Sequence, residues 1–115
     1  HHRRGISLER IAALTSANPA RIMGLGACKG DIAVGLDADL AIVDLNADYV
    51  VGPETRATDA GYSIYDGMTL KAPVVHALSR GRFALRDRQL VDDAIGTGRY
   101  IARRLPLHPS CAQQQ

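Results

Sequence analysis

A chain of 115 residues suits one small domain, and a 46% share of hydrophobic residues predicts a globular fold rather than a disordered one. The formal net charge of +2 and the 4% share of aromatic residues do not favour a nucleic-acid partner. Cys28 and Cys111 lie far apart in sequence, which argues against a disulfide framework and favours a reducing compartment. We therefore expect a cytoplasmic location. No membrane partner is expected, because no apolar run is long enough to cross a bilayer.

The first predicted element is a helix that begins after Ser7, a good N-cap residue. Glu9 lies in the first turn, where a carboxylate interacts favourably with the helix dipole. Leu8, Ile11 and Ala12 share one face at helical spacing, so the helix is expected to pack through that side.

A second, shorter helix is predicted to begin at Asn18 and Pro19. Asn18 is the expected N-cap, and Pro19 suits the first helical position because its missing N–H bonds nothing there. Gly24 or Gly26 is expected to end this helix in a left-handed conformation.

Residues 29–44 (KGDIAVGLDADLAIVD) are predicted to form two short strands joined by a tight polar turn. Ile32 and Val34 alternate with small or polar residues, as in a strand with one covered face. Gly35 gives the backbone the freedom to bend sharply.

The second half of this predicted hairpin contains aspartates and an apolar run. Asp37 and Asp39 are expected to accept hydrogen bonds from nearby backbone N–H groups and so to hold the turn. Residues 40–43 are continuously apolar, which is typical of a strand buried on both faces.

The rest of the chain is predicted as short strands joined by turns and by a polar loop at residues 54–67. The predicted strands are 48–51, 74–79, 82–86 and 90–91. The Arg80–Gly81 turn joins two of them in a β-hairpin. The residues from 105 onward are expected to be disordered.

The glycines around Lys29 do not form a nucleotide site. A dinucleotide fingerprint requires a glycine at position 29, and a phosphate loop requires one in place of Cys28. His108 and Cys111 are two possible metal ligands, but a structural zinc site needs about four. His76 lies mid-strand, where a hydrogen-bonded sheet residue is more common than a catalytic base.

Several aspartates between residues 31 and 48 invite a calcium interpretation, but their spacing is not that of an EF-hand and no glutamate completes the set. Aspartates that form turns are the better explanation. No serine lies in a Gly-x-Ser-x-Gly elbow. From the chemistry of its residues alone, the chain contains no convincing active site.

TSANPARIMGL at residues 15–25, followed by the segment 29–44, resembles the C-terminal part of the cyclic amidohydrolases. This superfamily includes dihydropyrimidinases, hydantoinases, allantoinases and dihydroorotases. Three later segments are most similar to dihydropyrimidinase and hydantoinase: YDGMTL at 65–70, VVHALSRGR at 74–82 and GTGRYIAR at 96–103.

The resemblance implies an α+β fragment of a larger enzyme, with a TIM barrel and a β-sandwich built from both chain ends. Residues 1–27 would end the barrel, with its last helix and a short following helix. Residues 28–95 would form the C-terminal share of the sandwich, and residues 96–115 an extended tail. The absence of an initial Met fits a fragment.

The implied reaction is hydrolysis of a cyclic amide or ureide C–N bond by a binuclear zinc centre. Its ligands in the family would all lie upstream of His1, so no catalytic, metal or substrate-binding residue is assigned to this chain. The chain itself is expected to be inactive.

The resemblance also implies a homo-oligomer, a dimer or a tetramer, in which the tail crosses to a neighbouring subunit. We expect Arg99, Tyr100, Ile101 and Arg103 to make that contact. Three alternatives remain open: a non-catalytic dihydropyrimidinase-related scaffold, a dihydroorotase or allantoinase relative, and a free-standing β-rich binding module.

Overall fold

A computed structural model describes residues 5–55 and 60–102. The chain divides into two compact units. One comprises His1–Asp37 with Arg99–Gln115, and the other comprises Ala38–Gly98. The described α-helical and π-helical segments lie in the first unit, and the strands lie in the second with two short 3-10 helices, Pro53–Thr55 and Asp92–Ala94. The predicted α+β class is therefore confirmed.

One continuous helix runs through the first unit. It comprises α1 (Leu8–Ala12), a π-helical segment (Ala13–Ala17) and α2 (Asn18–Ile22). Ser7 is the N-cap as predicted, because its hydroxyl oxygen accepts a hydrogen bond of 3.2 Å from the backbone N–H of Arg10.

The predicted break before Asn18 is wrong. Asn18 has helical angles, φ −68° and ψ −47°, and its side chain accepts a hydrogen bond from the Arg21 guanidinium instead of capping the backbone. Pro19 therefore lies inside a helix, where it cannot donate to the preceding turn. The π-helical segment just before it accommodates this, since the N–H of Asn18 bonds the carbonyl of Ala13, five residues back.

The end of the helix has the predicted left-handed glycine. Gly24 has φ +71°, and its N–H bonds the carbonyl of Arg21 at 3.1 Å. The N–H of Leu25 reaches the carbonyl of Ala20 at 2.7 Å. These two bonds form a Schellman motif, which satisfies carbonyls that the helix leaves without partners.

The strand predicted around Ile32 and Val34 is wrong. Residues 31–39 are turns and irregular chain, and the side chains of Ile32 and Val34 are 84% and 107% exposed. Local bonds replace a ladder here, because the carboxylate of Asp31 accepts from the N–H of Ile32 at 2.8 Å. Apolar alternation does not form a strand where no neighbouring strand supplies hydrogen bonds.

The described residues of the second unit form six strands. They are β1 (Leu40–Val43), β2 (Asp48–Val50), β3 (Thr69–Lys71), β4 (Val74–Ser79), β5 (Arg82–Arg86) and β6 (Gln89–Leu90). One antiparallel sheet has the order β1-β4-β5-β6, and a second pairs β2 with β3. The β4–β5 hairpin is confirmed, whereas β3 was not predicted.

The prediction that residues 40–43 are buried on both faces is wrong. Strand β1 lies at the edge of its sheet, with β4 as its neighbour, and Ile42 and Val43 remain 46% and 42% exposed. Among the described residues only Ala20 and Pro73 are buried. The sheets therefore carry an apolar surface that this unit leaves largely uncovered.

Candidate functional site

A cluster of side-chain contacts surrounds His76 in β4 and the tight turn from β5 to β6. The backbone N–H of Asp87 donates to Nδ1 of His76 at 3.1 Å, and Nε2 lies 3.8 Å from Oδ1 of Asp87. The imidazole also meets the Phe83 ring edge-on, with centroids 5.8 Å apart. The prediction of a hydrogen-bonded sheet histidine is confirmed. Since Nδ1 accepts a hydrogen bond, the proton of the neutral ring lies on Nε2.

The turn itself has an unusual backbone. Asp87 and Arg88 have φ values of +50° and +66°, in a region of backbone conformation that residues other than glycine rarely adopt. Two contacts hold this conformation besides the one to His76. The N–H of Arg88 bonds the carbonyl of Val75 at 2.9 Å, and its guanidinium carbon lies 5.8 Å from the centroid of the Tyr49 ring.

Beside this turn lies an open groove of about 830 Å³. Its walls combine apolar side chains with a few polar and charged ones. The lining residues are Tyr49, Glu54, Thr55, Pro73, Val74, Leu85, Asp87, Arg88, Gln89 and Leu90. The lining therefore combines apolar side chains with charged groups, but the groove is open to solvent rather than enclosed.

The described residues that line the groove do not include a nucleophile hydrogen-bonded to a base. Two of its lining residues, Tyr49 and Thr55, carry hydroxyl groups. The Thr55 hydroxyl accepts from the N–H of Gly52 at 2.9 Å and lies 3.1 Å from the carbonyl of the same residue. That hydroxyl therefore stabilises its own turn. Nucleophilic catalysis needs a hydroxyl or thiol within hydrogen-bond reach of a base.

The described residues do not fit a catalytic zinc centre. Within residues 5–55 and 60–102, no three His, Cys, Asp or Glu side chains lie close enough together to hold a metal ion. His108 and Cys111 fall outside the described residues. The Cys28 thiol is free. A zinc site requires at least three protein ligands that converge on one point.

The aspartates between residues 31 and 48 are occupied in structural contacts. Asp44 bonds the N–H of Asn46 at 2.9 Å, as expected of a turn-forming residue. Asp37 does not hold the turn through a neighbouring N–H group as predicted, and Asp39 bonds an N–H group that is distant in sequence. Asp37 pairs with Lys29 at 2.8 Å, and Asp39 accepts from the N–H of Arg80, 41 residues away, at 2.7 Å.

The residues predicted to contact another subunit lie just after the second unit. Arg99, Tyr100 and Ile101 belong to no helix or strand, and Tyr100 is 93% exposed. Arg103 falls outside the described residues. We call residues 99–103 the arm. No helix in the described part of the chain is both long and apolar enough to cross a bilayer.

A profile of the Amidohydrolase family matches residues 2–83. The chain therefore belongs to the Amidohydrolase family. The D-hydantoinase of Geobacillus stearothermophilus is 38% identical over 98 residues, which are 85% of this chain and 21% of that protein. A D-phenylhydantoinase of Escherichia coli O1:K1 / APEC is 39% identical over 104 residues, 90% of this chain and 22% of that protein.

Solved structures agree with these relatives. Dihydropyrimidinase from Brevibacillus agri NCHU1002 superposes with a TM-score of 0.83 at 37% identity, over 93% of this chain and 23% of that chain. The L-hydantoinase (dihydropyrimidinase) from Arthrobacter aurescens superposes with a TM-score of 0.69 at 33% identity, over 74% and 19% of the two chains. The chain thus spans about a fifth of the length of the relatives it matches.

Proposed function

We propose that this chain is the C-terminal part of a metal-dependent cyclic amidohydrolase of the hydantoinase and dihydropyrimidinase type. The observation that carries the proposal is the superposition on the Brevibacillus agri dihydropyrimidinase, which covers 93% of the chain at 37% identity. The protein would hydrolyse the C–N bond of a small cyclic amide or ureide. We expect it in the cytoplasm, where the free thiol of Cys28 stays reduced.

Within that enzyme, we propose that residues 7–25 are the last helix of a TIM barrel and the turn that follows it. Residues 28–95 would be the C-terminal share of a β-sandwich, and residues 96–115 an extended tail. The apolar surface left uncovered on the sheets supports this division, because a half-sandwich exposes the face that its other half covers.

We propose a structural role for the chain in catalysis, without a reacting group of its own. The binuclear zinc expected for the enzyme would be held by residues outside this chain, because the described residues lack a convergent ligand set. The chain would contribute the end of the barrel and part of the sandwich, which support the catalytic part.

We also propose that the arm contacts a second subunit in a dimer or tetramer. Tyr100 is almost fully exposed, and an exposed tyrosine beside Ile101 is suited to an interface because it has an apolar body and a polar tip. Arg99 and Arg103 supply guanidinium groups that can bind carboxylates with two hydrogen bonds.

The proposal is tested by assaying the full-length protein that carries this chain against dihydrouracil and hydantoin, with its zinc content measured on the same preparation. Hydrolysis together with bound zinc is the expected result. A folded, oligomeric protein that binds no metal and hydrolyses neither compound would instead support the non-catalytic scaffold.

A further inference from the structure

The β4–β5 turn is anchored to the chain that enters β1. The N–H of Arg80 donates to Oδ1 of Asp39 at 2.7 Å, and the N–H of Gly81 donates to the carbonyl of Ala38 at 2.9 Å. Arg80 and Gly81 both have positive φ, +48° and +78°, as a two-residue hairpin of this type requires. The backbone of Arg80 is therefore fixed by contacts that do not involve its side chain.

The side chain of Arg80 makes a separate contact with the end of the second unit. Its Nη2 donates to the carbonyl oxygen of Thr97 at 2.5 Å in a partly buried position. Thr97 is also held from the other side, since its hydroxyl donates to the carbonyl of Ala94 at 2.7 Å. Two independent bonds thus fix the residue that lies two positions before the arm.

Both neighbours of Thr97 are glycines, and Gly96 has φ +74°. Glycine allows the backbone many conformations, so a Gly-Thr-Gly segment without an anchor would leave the arm free to point in many directions. Binding by a disordered arm loses affinity, because the arm must be ordered when it binds. The hydrogen bond from Arg80 reduces that freedom in advance, because it fixes Thr97 and leaves Gly98 as the one glycine between the anchor and the arm.

We propose that Arg80 is a positioning residue for the arm: by holding Thr97, it fixes the segment that precedes the arm and so favours the contact of the arm with a second copy of the protein. The inference rests on the proposed subunit contact. The inference adds that the strength of the subunit contact depends on the side chain of Arg80, which lies 17 residues before Thr97.

The test substitutes Arg80→Gln in the full-length protein and measures the dissociation constant of the oligomer by analytical ultracentrifugation. The substitution keeps the backbone N–H of residue 80, which donates a hydrogen bond to Asp39, so the turn remains anchored. Loss of one charge-assisted hydrogen bond is expected to weaken the oligomer about fivefold to tenfold. Arg82→Gln is the matched control, because it removes the same charge from an exposed position of the same hairpin.

Three further measurements separate the possible outcomes. Arg80→Lys should restore part of the affinity, because an ammonium can donate to the same carbonyl. Hydrogen exchange at the Thr97 amide should accelerate in Arg80→Gln but not in Arg82→Gln. In a protein truncated before Gly96, Arg80→Gln should have no further effect on dissociation, which a general loss of stability would not reproduce.

If truncation before Gly96 weakens the oligomer while Arg80→Gln behaves like Arg82→Gln, the positioning role is overturned and the subunit contact stands. If truncation leaves the oligomer unchanged, the subunit contact itself is overturned, and the role of Arg80 with it.

Discussion

Nζ of Lys29 lies 2.8 Å from Oδ2 of Asp37, and this ion pair closes the loop that follows the helix. The backbone supports the same closure, because the N–H of Asp37 bonds the carbonyl of Cys28 at 2.8 Å. The two side chains are 19% and 33% exposed, so water screens the pair only in part. The apolar residues Ile32 and Val34 lie within the loop that this pair closes.

We expect the Lys29–Asp37 pair to have a larger coupling energy than the Lys71–Asp48 pair between β3 and β2. The second pair has a similar distance, 3.0 Å, but its side chains are 58% and 48% exposed. Double-mutant cycles with Lys29→Met and Asp37→Asn should give about 1 kcal/mol, and the matched cycle at Lys71 and Asp48 about 0.3 kcal/mol. Urea unfolding measures both, and equal values would contradict the role of burial.

Gly30→Ala should be strongly destabilising. Gly30 has φ +101°, and an added Cβ would lie 2.5 Å from the Cβ of Ala20 and 3.3 Å from the Cα of Ala17. A backbone that rarely accepts a side chain and a clash with the helix together should cost about 3 kcal/mol.

Gly35→Ala is the matched control for Gly30→Ala. Gly35 also has positive φ, +94°, but an added Cβ would meet nothing within 4 Å. Only the backbone strain remains, about 1 kcal/mol. Thermal unfolding of both variants measures the difference. Similar losses at the two positions would show that the loop does not approach the helix as closely as described.

The pKa of Glu9 is lowered from its usual value of 4.5, first by a hydrogen bond from its own backbone and second by one from the side chain of Ser7. The group is charged in the native state, so the stability it contributes is present above pH 4.5 and is lost as the pH falls through the lower native pKa. An NMR titration should find a midpoint below 4.5 that rises in Ser7→Ala. A midpoint at 4.5 or above in the unsubstituted chain would contradict the contact.

Truncation of the full-length protein before Gly96 should weaken its oligomer and leave its zinc content unchanged. The deleted residues include the arm but none of the proposed metal ligands. Size-exclusion chromatography over a dilution series measures the first effect, and metal analysis measures the second. Profiles that coincide with those of the intact protein at every concentration would exclude a subunit contact through the arm.

Sequence patterns predicted the elements whose cause is local. The Arg80–Gly81 hairpin, the Ser7 cap and the left-handed Gly24 each depend on residues within one turn of each other. The interpretation of Ile32 and Val34 as a strand was wrong, because a strand needs a neighbouring strand to bond to. The alternation of apolar and polar residues does not show whether such a neighbour exists. The prediction of Asn18 as an N-cap was wrong. An N-cap and a residue inside a helix differ in backbone angles, which the residue type alone does not determine.

The contacts around the candidate site were harder to predict, because they join residues far apart in the chain. Asp39 and Arg80 are 41 residues apart, and His76 and Asp87 are 11 apart. The positive φ values of Asp87 and Arg88 were not predicted either, because neither residue is a glycine.

We propose that this chain belongs to a cyclic amidohydrolase and contributes no reacting group to its catalytic centre. The most direct test is to purify the 115-residue chain, measure its bound zinc, and assay the same sample for hydrolysis of hydantoin and dihydrouracil. We predict no bound stoichiometric zinc and no turnover, because the described residues supply no convergent ligand set. Stoichiometric zinc together with turnover by the isolated chain would contradict the claim.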